Sequence, residues 1–192
     1  MNVELIKEEI KKVMAVDEEE FAMIAKIFSV KKLKKNEIWE SAGRIGKYMG
    51  FVNQGILREF TTKDGEEFTT LFFAERSFVG NYISNLQQTP ADTSIQALEP
   101  CELLVTSFER FQKLAMEYPS MVKYAQYVSD QKLFELNSKA SSILMDSPEE
   151  RYYKLMQQQP DIHSRVKQYY IAQYLGIRPE SLSRIRKRYQ KK

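Results

Sequence analysis

The sequence has few of the residues that most site chemistry requires. Its 192 residues include one cysteine, Cys101, and one histidine, His163. A lone cysteine cannot close an internal disulfide, and the four thiolates of an iron–sulfur cluster are absent. With one histidine, no clustered acids and no metal-ligand spacing, no nucleophilic or metal-assisted constellation can be assembled, so the chain is not read as an enzyme. No apolar run approaches the length that spans a bilayer. The opening residues, Met1-Asn2-Val3-Glu4-Leu5-Ile6-Lys7, lack the basic region and apolar run of a signal peptide. These absences lead us to expect a cytoplasmic protein with no membrane partner. Cys101 reads as a small buried hydrophobe, with thiol redox sensing as the alternative. His163 reads as a solvated turn residue rather than a haem ligand.

What is present is unevenly distributed. The net charge of +3 hides a split. From Arg151 to Lys192 there are 11 Lys and Arg against 2 Asp and Glu, a charge of +9, so the preceding residues carry −6. A basic end on an acidic body fits nucleic-acid binding at that end. Within it, Ile171, Ala172 and Leu175 share one helical face. Gly176 can end that helix in the left-handed conformation. Pro179 suits the first turn of a second helix, where its missing N–H costs little. Leu182 and Ile185 face back, leaving Glu180, Ser181, Ser183, Arg184, Lys187 and Arg188 outward. This is the pattern of a helix-turn-helix with a basic recognition helix. An ordinary surface hairpin explains the apolar spacing equally well, but not the basic outer face.

Upstream, residues 3–14 and the stretch from Asp17 to Phe28 read as amphipathic helices, the second with a capping box of Asp17 and Glu20. From Ser29 to about Thr106 the apolar period becomes two. Glu37 to Trp39 is a short strand. Lys47–Val52 and Ile56–Thr61 flank Asn53-Gln54-Gly55 and predict a hairpin, and Asp64-Gly65 turns the chain again. Strands at 68–73, 94–98 and 102–105 complete a sandwich, barrel or jelly roll. Ser107 caps a further helix. Pro119 opens a long one reaching about Met145, with Met121, Ala125, Val128, Leu133, Leu136, Ala140 and Ile143 forming a seam for its own β-domain or a second copy. Ser147, Pro148 and Glu150 then read as a capping box, and residues 161–167 as a short connection. The fold class is α+β. The expected division is 1–118 for the N-terminal helices and β-roll, 119–146 for the long helix and 147–192 for the helix-turn-helix.

This order resembles the bacterial transcription regulators of the cyclic-AMP receptor protein and fumarate–nitrate regulator superfamily. The most specific likeness lies in Ile171-Ala172-Gln173-Tyr174-Leu175-Gly176-Ile177 and Glu180-Ser181-Leu182-Ser183-Arg184. The resemblance implies a homodimer through residues 119–145 that binds double-stranded DNA and meets RNA polymerase. It places Glu180 and Arg184 on bases. Arg donates two hydrogen bonds to guanine and Glu accepts one from cytosine, which fits those roles. Ser183 is grouped with the base contacts. Arg178, Ser181, Arg186, Lys187 and Arg188 are assigned to phosphates, and either serine could serve both. Pro179 stands where the family commonly has a polar side chain, so one contact is lost and the half-site differs.

The resemblance also implies a sensor roll that binds a cyclic nucleotide in some members. Phe78-Val79-Gly80-Asn81-Tyr82 matches the start of the phosphate cassette, but Asn81 replaces the ribose-binding glutamate. The cassette's end falls at Ala91-Asp92-Thr93, without its arginine, and Asp92 would repel a phosphate. Cyclic AMP is therefore not expected to bind in the usual way, no cofactor is required, and the effector is unassigned. Phe72, Phe78, Gly80, Asn81, Tyr82 and Tyr127, together with Phe51, are either a ligand pocket or core. The competing function is a ligand-sensing or interaction module whose C-terminal helices bind a protein.

Overall fold

A computed structural model describes residues 1–189, apart from the side chains of Pro119 and Ser120. The end of the expected 147–192 unit therefore lies outside the described residues. Two helices open the chain, α1 (Glu4–Lys11) and α2 (Glu18–Lys26). Asp17 caps α2 by accepting the Glu20 N–H at 2.8 Å, satisfying a donor that a helix start leaves open. The helical spacing buries Ile6 and Ile10 of α1 and Phe21 and Ile24 of α2.

Eight strands follow: β1 (Ser29–Leu33), β2 (Ile38–Glu40), β3 (Tyr48–Gln54), β4 (Leu57–Lys63), β5 (Glu66–Phe73), β6 (Phe78–Val79), β7 (Ser94–Ala97) and β8 (Cys101–Ser107). A short helix, α3 (Tyr82–Gln87), lies between β6 and β7. The strands form two four-stranded sheets, ordered β1-β8-β3-β6 and β2-β7-β4-β5. Val52, Leu57, Leu71, Ile95, Ala97, Leu103 and Val105 fill the space between them. This is the roll that the period-two pattern predicts.

The Asp64-Gly65 turn is as expected. Both residues have positive φ, 53° and 81°, and Lys63 pairs with Glu66 across them. That is the two-residue turn whose twist suits a hairpin. The expected hairpin around residues 53–55 is corrected. β3 pairs with β8 and β6, whereas β4 pairs with β5 and β7. The chain instead crosses from one sheet to the other at Gly55. That residue has φ +98°, and a Cβ there would lie 2.5 Å from Cys101 Sγ and 2.8 Å from the Pro100 carbonyl. A glycine turn signal cannot distinguish a hairpin from a sheet corner. The strand expected at 37–39 is displaced by one residue, to Ile38–Glu40.

Six helices complete the described chain: α4 (Phe108–Glu117), α5 (Pro119–Met145), α6 (Pro148–Gln158), α7 (Ile162–Arg165), α8 (Gln168–Leu175) and α9 (Pro179–Tyr189). Ser107 caps α4, accepting the Arg110 N–H at 3.2 Å. Both bonds of the Ser147–Glu150 capping box are present, at 2.7 and 3.3 Å. The predicted connection at 161–167 contains a helical turn, α7. The seam of α5 divides in two. Met121, Tyr124, Ala125 and Val128 join α1, α2, α4 and β3 in one core. Leu133, Leu136, Ala140 and Ile143, further along, are exposed. A second core runs from Ile56, Phe72 and Leu98 of the roll into Tyr152, Leu155, Ile162, Ile171, Leu175 and Leu182 of the C-terminal helices. The roll and the helix-turn-helix thus share one apolar interior.

Candidate nucleic-acid interface and roll cavity

The turn between α8 and α9 is set by Gly176, at φ +66°. The Ile177 N–H reaches back to the Ala172 carbonyl at 3.0 Å, a bond made by chains that leave a helix through a left-handed residue. Ile171, Ala172 and Leu175 of α8 and Leu182 and Ile185 of α9 are buried. Their periodicity turns Glu180, Ser183, Arg184 and Lys187 outward, where all four are exposed. Arg178 is exposed before α9. Ser181 is half-buried and accepts from Arg184 Nη2 at 3.4 Å. Arg186 is half-buried near the Tyr152 phenol. Arg188 pairs with Glu149 of α6. The assigned base contacts thus share one open face. Two of the assigned phosphate contacts, Ser181 and Arg188, already have partners within the chain.

The polar side chains of α8 are engaged differently. Gln173 donates to the Glu67 carbonyl and accepts from Thr69 Oγ1 at 2.9 Å. Tyr174 stacks against Phe72, with ring centroids 5.2 Å apart. Tyr170 lies 4.0 Å from the guanidinium of Arg58, which is 1% exposed and also bonds Gln96, Thr69 and Glu67. Arg165 of α7 grips both oxygens of Glu75, at 2.7 and 2.9 Å, and also meets Glu99 and Asp161. Burial alone would raise the Glu75 pKa. The Arg165 guanidinium and the Gly55 amide outweigh it and hold the carboxyl below its ordinary value. Sequence reading missed this junction. Its signals were present: an arginine inside a strand pattern and a glutamine inside a helix whose neighbours are apolar.

A cavity of about 1040 Å³ lies between the roll, α5 and the C-terminal helices. Phe72, Phe78, Gly80, Tyr82 and Tyr127 line it. Phe51 does not, being fully buried in the core beneath. Asn81 is corrected too: its amide turns away from the cavity. Asn81 Nδ2 and backbone N–H donate to Glu40 at 2.9 and 3.0 Å, and Thr93 donates to Asn81 Oδ1 at 2.8 Å. Burial raises the Glu40 pKa, although these bonds and those from Tyr48 and Lys47 oppose the shift. Ala91 is buried and Asp92 exposed. Cys101 is buried, which pushes its thiol up to about 11. His163 is exposed, with Nδ1 3.1 Å from the Pro160 carbonyl. Among the described residues, no group of three or more His, Cys, Asp or Glu side chains is placed to hold a metal ion. None of the described helices is long and apolar enough to cross a membrane.

A family model for the cyclic nucleotide-binding domain matches residues 30–118. No curated protein matches the chain. Solved structures do. FixK2 from Bradyrhizobium japonicum superposes with a TM-score of 0.74 at 14% identity, covering 86% of this chain and 85% of its own. The c-di-GMP-responsive global regulator CLP of Xanthomonas campestris gives 0.70 at 18% identity, over 91% of this chain and 92% of its own. A protein from Eubacterium rectale described as a transcriptional regulator of the Crp/Fnr family gives 0.68 at 15% identity, over 91% and 84%. Residues 30–118 therefore belong to the cyclic nucleotide-binding domain family, and the described chain has the fold of the Crp/Fnr regulators.

Proposed function

We propose that the protein is a dimeric, sequence-specific DNA-binding transcription regulator, organised as a sensor at 1–118, a dimerisation helix at 119–146 and a DNA-binding unit at 147–192. The observation that carries this reading is the open face of α9. Its apolar side is buried, while Glu180, Ser183, Arg184 and Lys187 point outward. A helix held by one face and exposed on the other can enter a major groove. Glu180, Ser183 and Arg184 read bases. Arg178, Ser181, Arg186, Lys187 and Arg188 meet phosphates, Arg188 after leaving Glu149. The exposed apolar residues on the second half of α5 suit a second copy of the chain, since such a stripe is costly in water.

The roll is the sensor in this reading, and cyclic AMP is not its ligand. The Glu40 carboxylate already takes the Asn81 N–H at the start of α3. An incoming phosphate would meet that negative charge and displace its bonds.

The test is selection from a random duplex pool. It should enrich two-fold symmetric half-sites about 10 base pairs apart, with affinity that falls steeply as salt rises. A protein that binds no duplex in a salt-sensitive way would overturn the reading. Sedimentation of the protein alone tests the dimer, and a monomer throughout would remove α5 from that role.

A further inference from the structure

We propose that the cavity between the roll and α5 binds an elongated organic monoanion, an apolar body bearing one carboxylate that ends on Lys139. This deepens the sensor role proposed above and rests on it for its consequence at the DNA.

The cavity is at the upper end of the range that takes small molecules. Phe78, Phe111, Tyr124 and Val128 give it an apolar wall. Charged groups line it as well. Five cationic side chains and three carboxylates line the whole. Each lining carboxylate has a partner: Glu9 with Arg76, Glu75 with Arg165 and Glu135 with Lys132. Lys139 differs. Its ammonium donates to the Thr70 carbonyl and lies 4.0 Å from the centre of the Tyr174 ring, and neither group carries a charge. Among the described residues no carboxylate forms an ion pair with it. Burial pulls the Lys139 ammonium down to about 8, although Glu59 and Glu135 oppose the shift from beyond ion-pair distance, because a low-dielectric site disfavours a charge without a counter-charge in contact. A ligand carboxylate would supply one.

The helix also sets the length. Val128 and Lys139 are eleven residues apart on α5, about 16 Å at the helical rise. The position of Lys139 carries the consequence. It touches β5 through Thr70 and α8 through Tyr174, so a carboxylate that draws it into the cavity loosens the seat of the helix-turn-helix on the roll.

The experiment titrates the full chain with dodecanoate and with dodecan-1-ol by calorimetry, below the concentration at which either aggregates. Dodecanoate is expected to bind about ten- to a hundredfold tighter than the alcohol. Lys139→Met should bring the acid down to the level of the alcohol, and Lys139→Arg should keep the preference. Amide exchange in residues 168–175 should rise with dodecanoate in the wild type and not in Lys139→Met. The proposal is overturned if neither probe binds, if both bind alike, or if Lys139→Met keeps the preference. Unchanged exchange at 168–175 overturns the coupling. A DNA-mobility assay without additive on the same preparation separates the two readings. Protein that shifts DNA but ignores dodecanoate sinks this inference alone.

Discussion

α8 and α9 are adjacent helices of one motif with opposite environments. α8 is spent on the protein itself. Its apolar face enters the shared core, and Tyr170, Gln173 and Tyr174 cover the outer surface of β4 and β5. α9 buries Leu182 and Ile185 and leaves its charged residues outside. The polar residues of α8 at this contact are neutral phenols and an amide, which can be buried once hydrogen-bonded. Those of α9 are mainly ions, whose burial would demand counter-ions. The side-chain chemistry thus separates a helix that anchors from one that reads. The acidic groups of the roll serve the anchor as well: Glu75 and Glu99 receive Arg165, while the basic face of α9 has no such partner on the roll among the described residues.

The sharpest way to break this contrast is to remove what holds α9. Leu182 is 0% exposed. Leu182→Ala should cost about 2–5 kcal/mol, the range for a buried leucine whose cavity does not collapse. Urea unfolding followed by circular dichroism measures it. A loss below about 1 kcal/mol would show that α9 rests on other contacts.

The anchor comes next. Arg165→Met removes charged hydrogen bonds that span the roll and α7, at about 1.5–3 kcal/mol in all. The pH dependence has a definite sign. Glu75 is held below its ordinary value in the folded chain, so its contribution is complete above the unfolded value of about 4.3 and fades as pH falls through the folded one. The stability gap between wild type and Arg165→Met should therefore be constant near neutrality and close in acid. A gap that widens in acid would assign the effect to another group.

The same contrast explains what the sequence made legible. α9 was readable because its signals are local: Gly176, Pro179, and Leu182 and Ile185 three apart. The Ser147–Glu150 capping box, the Asp17 cap and the Asp64-Gly65 turn are equally local, and the structure has them where expected. The junction was not readable. Leu57 and Arg58 are adjacent and both buried, because the roll covers one side of β4 and α8 the other. Period-two alternation assumes one wet face, which β4 lacks at this point. The crossing at Gly55 and the turn of Asn81 toward Glu40 depend on residues 46 and 41 positions away, and no window reaches them. The α5 seam was legible as a stripe but not as two halves, since only the core shows where the roll stops covering it.

On the reading side, Arg184→Ala should cost about 1–3 kcal/mol at the selected site and relax preference at one base pair. Lys187→Ala should weaken all duplexes alike and lower the salt slope by about one. Mobility shifts on the selected duplex and single-base variants, over a range of salt, distinguish them. If Arg184→Ala weakens every sequence equally, Arg184 belongs with the phosphate contacts and α9 reads through Glu180 and Ser183.

The smallest effect tests the platform beneath both helices. Ser147 caps α6, which contributes Tyr152, Leu155 and Met156 to the core on which α8 and α9 rest. Ser147→Ala removes the hydroxyl that accepts the Glu150 N–H, a loss of about 1 kcal/mol. Glu150 can still reach the backbone N–H of residue 147, so the second half of the box survives the substitution. The cap lies far from the open face of α9 and lacks any bond to the roll among the described residues. Its loss should therefore lower global stability while base preference and the Arg165–Glu75 junction stay unchanged. Unfolding curves together with the selected-duplex assay check both halves of that expectation. A change in base preference with little change in stability would mean that the start of α6 sets the angle of α9, and the division into anchor and reader would have to extend to a third helix.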